Sequence, residues 1–222
     1  MDVGIIGGTG PAGMGLGARL AAAGLTVGIG SRDSSRAESA VRDLKERWPG
    51  RSLQMTGAGN EAVAGADIVV VATPWDGAVS TVESLAGALE SKVVISMANA
   101  MVRQGKEMHP MMVARGSVAQ AVAAAVPGAL VAGAFHHLPA RGLANLDEQM
   151  DADVLICADD PVALASTSRL VREIPGLRPL EAGSLAIAGA VESFTAVLVS
   201  VNIRYKAHSV PVLGGIRGGE PV

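Results

Sequence analysis

The 222-residue chain holds one cysteine, one tyrosine, two phenylalanines and two tryptophans. Cys157 alone cannot close an intrachain disulfide, so no cross-linked framework is available, and a reducing, cytoplasmic compartment is expected. With so few aromatics, the core must be filled mainly by Ala, Val, Leu and Ile. A strong charge of either sign is also missing: 18 cations against 21 anions give a formal net charge of −3. Neither nucleic acid nor an anionic membrane is an expected partner. The first residues lack a basic segment and an uninterrupted apolar run, so they do not read as a signal peptide. The one adjacent histidine pair, His136-His137, has no Cys or Glu at ligand spacing. Neighbouring side chains of an extended chain also point apart, so no zinc site is expected.

Glycine, by contrast, is plentiful, and its placement is informative. Asp2 to Arg32 reads as strand, glycine turn, helix and strand. Val3, Ile5 and Ile6 form a short apolar run, as in a strand buried on both faces. Gly8, Gly10 and Gly13 follow with G-x-G-x-x-G spacing. That spacing predicts a tight turn at Gly8, backbone approach to a pyrophosphate at Gly10, and close helix–sheet packing at Gly13. Thr9, Pro11 and Ala12 share the turn and the start of the helix. Proline suits the first helical turn, whose free N–H groups and dipole favour phosphate. Gly24 is a plausible helix stop, and Leu25 to Ile29 returns as a second strand.

The residues after that strand choose between dinucleotides. An NAD site places Asp or Glu there for the ribose hydroxyls. This chain has Gly30-Ser31-Arg32, with Arg36 four residues on. A hydroxyl and two guanidiniums suit a 2′-phosphate, so NADP(H) is the expected cofactor. Asp33 comes one residue late for the ribose role.

Further on, strands and helices alternate, which predicts an α/β, doubly wound, mostly parallel sheet. Helices are expected at 33–48, 76–89, 117–125 and 161–173. Strands are expected at 67–72, 92–96, 129–135, 153–158 and 177–180, with a short one at 53–55. Gly57 to Ala66 reads as a turn and brief helix, and Met97 to Gly116 as irregular. The strand ending at Ala72 delivers Thr73, Pro74 and Trp75 to the carboxyl edge, where ligands bind such sheets. Trp75 either walls that site or packs at the start of the next helix. The strand ending at Ala134-Phe135 delivers His136, His137 and Leu138 to the same edge. Leu185 to Ile203 is apolar nearly all round. Its Glu192, Ser193, Thr195, Ser200 and Asn202 argue against lipid and for burial, in a small domain or a subunit interface.

GGTGPAGMGLGARLAAAGLTVGIGSRD resembles the opening of the NADPH-dependent reductases of coenzyme F420, the 8-hydroxy-5-deazaflavin. Three later stretches agree: Ala72-Thr73-Pro74-Trp75; AFHHLPA from Ala134 with Ala144-Asn145-Leu146-Asp147; and LRPLEAG from Leu177 leading into Val191-Glu192-Ser193-Phe194-Thr195. The resemblance extends to about His208. It implies direct hydride transfer between NADP(H) and coenzyme F420, in a homodimer. No essential acid or base is implied. Ala134 and His136 would lie at the nicotinamide, and His136, Leu138, Ser193 and Thr195 would position the rings. It also implies a Rossmann-like domain over 1–183 and a small helical domain over 184–222, with the deazaflavin site and dimer contacts at their junction. Some members have an arginine where this chain has Gly189, and the ending after His208 departs from the family. Arg204, Lys206 and His208 are either a receptor for the anionic tail of the deazaflavin or an ordinary cationic helix end. Two alternatives share the nucleotide half. One is an imine or ketone reductase needing a proton donor such as His136, His137 or Tyr205. The other is a non-catalytic NADP(H) sensor. The last five or six residues are expected to be loose.

Overall fold

The computed structural model describes residues 2–216; the expected loose ending lies outside them. An eight-stranded sheet runs through the molecule in the order β10-β9-β8-β5-β4-β1-β2-β3. Its first half is β1 (Asp2–Ile6), α1 (Pro11–Ala22), β2 (Thr26–Ser31), α2 (Ser34–Arg47), β3 (Met55–Gly59) and α3 (Asn60–Val63). Its second half is β4 (Ile68–Val71), α4 (Trp75–Ser84), α5 (Ala86–Leu89), β5 (Val93–Ser96), α6 (Val118–Ala125) and β8 (Leu130–Gly133). These six strands are parallel, and the order reverses between β1 and β4. That reversal opens the ligand crevice of a doubly wound sheet. Two strands extend it: β9 (Ala152–Ala158), antiparallel to β8, and β10 (Leu177–Gly183), parallel to β9.

Both sheet faces are covered, which is why β4 (IVVV) and β5 (VVIS) are buried throughout. One face packs against α1, α2 and α8 (Pro161–Arg172), through residues such as Leu16, Leu44 and Leu170. The other packs against α4, α6 and α9 (Leu185–Tyr205), through Val82, Val122 and Val191. Aliphatic and alanine side chains dominate both layers, and Phe135 is the one wholly buried aromatic among the described residues.

Several elements differ from the sequence expectation. The segment expected to be irregular contains a hairpin, β6 (Met101–Gln104) and β7 (Glu107–Pro110), turning at Gly105 with φ 60°. It docks on α9 where the Met108 N–H donates to Ser200 Oγ at 2.8 Å and Arg204 pairs with Glu107. Gly57 belongs to β3 rather than to a turn, pairing with Ile29 of β2, and the α2 backbone at Ala37 and Glu38 leaves no room there for a side chain. The expected helix over 76–89 divides at Leu85 into α4 and α5. A short helix, α7 (Ala140–Ala144), follows the histidine pair.

Residues 184–216 comprise α9 and an extended tail. The tail returns to the sheet, where the Asp153 N–H donates to the Pro211 carbonyl at 2.9 Å. The Arg178 guanidinium grips both Asp153 oxygens and the Leu213 and Ile216 carbonyls. By length and composition α9 could cross a membrane, with a mean hydropathy of 1.7, and 28% of that window is buried. One side, with Ala188, Val191, Glu192, Thr195 and Ala196, faces the protein. The other leaves Ile187, Phe194 and Val197 exposed at 46%, 42% and 55%.

Candidate active site

The glycine turn packs at Gly13 as the spacing predicts, but the left-handed position is not Gly8. The left-handed residue is Gly7, φ 64°, where a side chain would strike Thr73. Gly8 is instead required by crowding, since a Cβ there would lie 2.8 Å from the Ile5 carbonyl oxygen. A Cβ on Gly13 would lie 2.8 Å from the Gly8 Cα. Around Gly10 nothing lies within 4 Å of the Cβ position, so the backbone is open to a ligand. Gly10 is also the N-cap of α1, with Pro11 at the first helical position and no capping side chain or acidic residue in the first turn. The free N–H groups of Ala12 and its neighbours therefore face an uncompensated positive helix end. Asn60 steadies the turn, its Oδ1 accepting from the Gly7 N–H at 3.1 Å. The Gly8 N–H donates to the Gly30 carbonyl at 2.9 Å, tying the turn to the end of β2.

At that end Ser31 is buried and its hydroxyl accepts from the Asp33 N–H at 3.2 Å. Asp33 is occupied as the cap of α2. It accepts from the Ser35 N–H at 3.0 Å and the Ser35 hydroxyl at 2.7 Å, and that hydroxyl holds its carboxyl below the usual range. The Arg32 and Arg36 side chains are exposed and make no hydrogen bond or ion pair among the described residues.

The carboxyl edges of β4, β5 and β8 are marked in another way. Among the described residues seven buried side-chain polar atoms lack a partner, and four belong to this edge: Thr73 Oγ1, Ser96 Oγ, Asn99 Oδ1 and His136 Nε2. Buried polar atoms are normally satisfied, so unpaired ones gathered at a ligand crevice are fitted to a polar guest. Two hydrogen bonds tie Ser96 and Asn99 to the segment that carries His136. The Ala134 N–H donates to the Ser96 carbonyl at 3.1 Å, and Asn99 Nδ2 donates to the His136 carbonyl at 2.8 Å. Ser96 and Asn99 carry no motif, and their positions at the end of a buried apolar strand and just past it were the only sequence signal. Pro74 is exposed. Trp75 is half-buried, opening α4 and packing on the core of that face.

The two histidines are not in extended chain. The strand ends at Gly133, and Phe135 turns left-handed, φ 63°, with the Leu138 N–H donating back to its carbonyl at 3.1 Å. The rings meet edge to face with centroids 5.2 Å apart, and both are buried. Burial and the adjacent His137 press the His136 pKa down to about 3, against a small opposite effect of the Ala134 carbonyl. Burial likewise lowers His137 to about 4, opposed by Asp153. Both rings are neutral at working pH. Their surroundings differ. The His136 Cε1 lies beside Gly133, in company with Ala119 and Ala188. His137 Nε2 fills a gap in the sheet edge: in one tautomer it accepts from the Leu155 N–H at 3.2 Å, in the other it donates to the Asp153 carbonyl at 3.0 Å.

The expected α9 residues divide between faces. Thr195 is buried and its hydroxyl donates to the Val191 carbonyl at 3.2 Å, whereas Ser193 is exposed. Sequence reasoning gave Glu192 no partner; its buried carboxylate accepts from the N–H groups of Val118 at 2.9 Å and Ala119 at 3.1 Å. Burial raises its pKa, and those two amides oppose the rise. Leu138 is buried immediately before Pro139 and α7.

A reversal-point crevice, a glycine-wrapped helix N-terminus and two uncommitted arginines beyond β2 define a Rossmann-type dinucleotide-binding protein. The sequence profile described as NADP oxidoreductase, coenzyme F420-dependent, matches residues 2–100. The F420-dependent NADP reductase of Methanothermobacter thermautotrophicus is 33% identical over 218 residues, covering 96% of this chain and 94% of that one. That of Methanocaldococcus jannaschii is 31% identical over 212 residues, covering 93% and 95%. A solved structure from Arthrobacter sp. FB24, described as a candidate F420-dependent NADP reductase, shares the fold with a TM-score of 0.79. It is 21% identical and covers 94% of this chain and 96% of its own. The chain belongs to the coenzyme F420-dependent NADP oxidoreductase family.

Proposed function

We propose that this protein transfers a hydride between NADP(H) and coenzyme F420, held face to face in the crevice above β1, β4, β5 and β8. The four unpaired polar atoms at that edge carry the reading, together with full-length similarity to reductases of that name. Gly8, Thr9, Gly10, Pro11, Ala12 and Gly13 cradle the pyrophosphate, and Ser31, Arg32 and Arg36 receive the 2′-phosphate. Thr73, Pro74, Trp75 and Ala134 line the approach to the nicotinamide. When bound, the nicotinamide supplies the hydride donor or acceptor carbon. The protein supplies orientation and a dry cleft. His136, neutral, offers Nε2 as a hydrogen-bonding partner, and Leu138 offers an apolar wall. No residue need act as nucleophile, acid or base.

Helix α9 completes the site in this reading, with Ser193 and Thr195 near the deazaflavin. The protein is a homodimer: Ile187, Ala190, Phe194 and Val197, spaced three and four apart on α9, form an apolar stripe suited to a second copy. A cytoplasmic location agrees with Cys157, a buried thiol that burial pushes up to about 11. The decisive experiment follows the absorbance of oxidised coenzyme F420 mixed with the protein and NADPH, with NADH as control. Rapid bleaching with NADPH alone is expected. Absence of bleaching despite NADPH binding would overturn the reading in favour of an imine or ketone reductase; binding without turnover of any acceptor would favour a sensor.

A further inference from the structure

We propose that Arg19 is a positioning residue, whose guanidinium locks the acceptor-side segment beginning at His136 to the helix that holds the dinucleotide. The inference rests on the reading above and adds a residue to it.

Arg19 lies in α1 and is 8% exposed. Its Nε donates to the Leu143 carbonyl at 3.1 Å. One terminal nitrogen, Nη2, contacts the carbonyls of Gly142, Asn145 and Glu148 at 2.7, 2.6 and 2.8 Å. No carboxylate pairs with it among the described residues. Four backbone acceptors from one seven-residue stretch therefore converge on one side chain, 123 to 129 residues away in sequence.

The reason lies in α7. Five residues are too few for a helix to satisfy its own carbonyls, and the chain after Ala144 has no regular structure until Ala152. Arg19 gathers these acceptors, the Gly142 carbonyl also accepting from the Asn145 N–H at 3.3 Å, and its planar fork reaches several at once. The contact is tight beside it as well. A Cβ on Gly15 would lie 2.8 Å from the Leu143 Cβ and 3.1 Å from the Ala140 carbonyl oxygen, so α1 and α7 touch backbone to backbone. Leu138 and Pro139 open directly into α7. One end of α1 thus presents its free N–H groups to phosphate, while Arg19, near its other end, fixes the segment that carries His136 and Leu138. Two reacting rings need registration to a fraction of an ångström, and a shared rigid strut supplies it.

The test compares wild type, Arg19→Lys, Arg19→Met and Leu170→Ala. The last is a buried α8 residue away from both ring sites and controls for general destabilisation. NADPH affinity is read by calorimetry, turnover with coenzyme F420 by absorbance, and backbone order over 136–149 by amide hydrogen exchange. Arg19→Met is expected to keep NADPH affinity within about twofold and to lose on the order of ten- to a hundredfold in kcat. Amides from 138 to 149 should exchange faster. Arg19→Lys should fall between, because an ammonium lacks the planar fork. Leu170→Ala should alter neither kcat nor exchange in that segment. Wild-type kcat in Arg19→Met, or an equal kcat loss in Leu170→Ala, would reduce Arg19 to a structural residue and overturn the proposal. Unchanged exchange over 138–149 would overturn it too. Should Arg19→Met fail to fold, Arg19→Lys carries the same readouts. Should the wild type not reduce coenzyme F420, the functional reading falls, and the exchange data alone decide whether Arg19 holds the segment.

Discussion

A side chain at Gly189 would strike the carbonyl oxygen of Gly116, so α9 and the turn before α6 meet without any intervening Cβ. Gly189 is therefore a packing residue here, and an arginine at this place would force the two elements apart. Gly189→Ala is expected to cost about 1–3 kcal/mol through overpacking. Gly189→Arg should cost more and should also weaken coenzyme F420 binding, because α9 must move. Urea unfolding and the KM for coenzyme F420 check both. A stable Gly189→Arg with unchanged KM would show that the close approach is not needed.

Glu192 ties the same helix to α6 by accepting from two amides, Val118 and Ala119. Glu192→Ala leaves both buried donors unpaired and should destabilise by about 2–4 kcal/mol. Glu192→Gln keeps one carbonyl acceptor and should cost less. The ordering is read from urea midpoints.

Nucleotide preference should follow Arg32. Its guanidinium is exposed and uncommitted, while Asp33 is spent on capping α2. Arg32→Ala should raise the KM for NADPH by about ten- to a hundredfold, the worth of a charge-assisted bond. It should leave the affinity for NADH, measured by binding at high nucleotide concentration, unchanged in direction and size relative to wild type. Equal losses with both nucleotides would remove Arg32 from the 2′-phosphate site.

The buried histidines set an acid limit on stability. Their folded pKa values, about 3 and about 4, lie below the ordinary 6.5. Above pH 6.5 both states carry neutral rings and no penalty arises. As pH falls below 6.5, the unfolded chain takes up protons that the folded chain refuses, so stability declines until the folded rings titrate. Tm should be level from pH 8 to 7 and drop between about pH 6 and 4. A His136→Phe, His137→Gln double variant should flatten that drop. An equally steep fall in the variant would assign it to other groups.

The proposed dimer is tested at the apolar stripe of α9. Phe194→Glu together with Val197→Glu should yield a monomer by sedimentation, since both side chains are exposed in the single chain. An unchanged dimer would place the interface elsewhere.

The chain's local chemistry determined much of this. Buried runs such as Ile68–Val71 and Val93–Ser96 state their strands, because residues covered on both faces must be apolar throughout. The glycine spacing after β1 pointed to a tight strand–helix turn, and Ser31-Arg32 pointed to NADP(H), because each expectation is written within a few consecutive residues. The hairpin over 101–110 was hidden, since its strands are mostly exposed and lack alternation. Tertiary structure alone decided that Gly7 takes the left-handed turn against Thr73, and that Ser96 and Asn99 join His136 at one edge. It alone decided that His137 plugs the edge of β9 and that Arg19 reaches carbonyls more than 120 residues away. These are facts about which backbone groups remain unpaired once the sheet has formed. A sequence shows which residues can donate or accept; only the folded chain shows which partners are left for them.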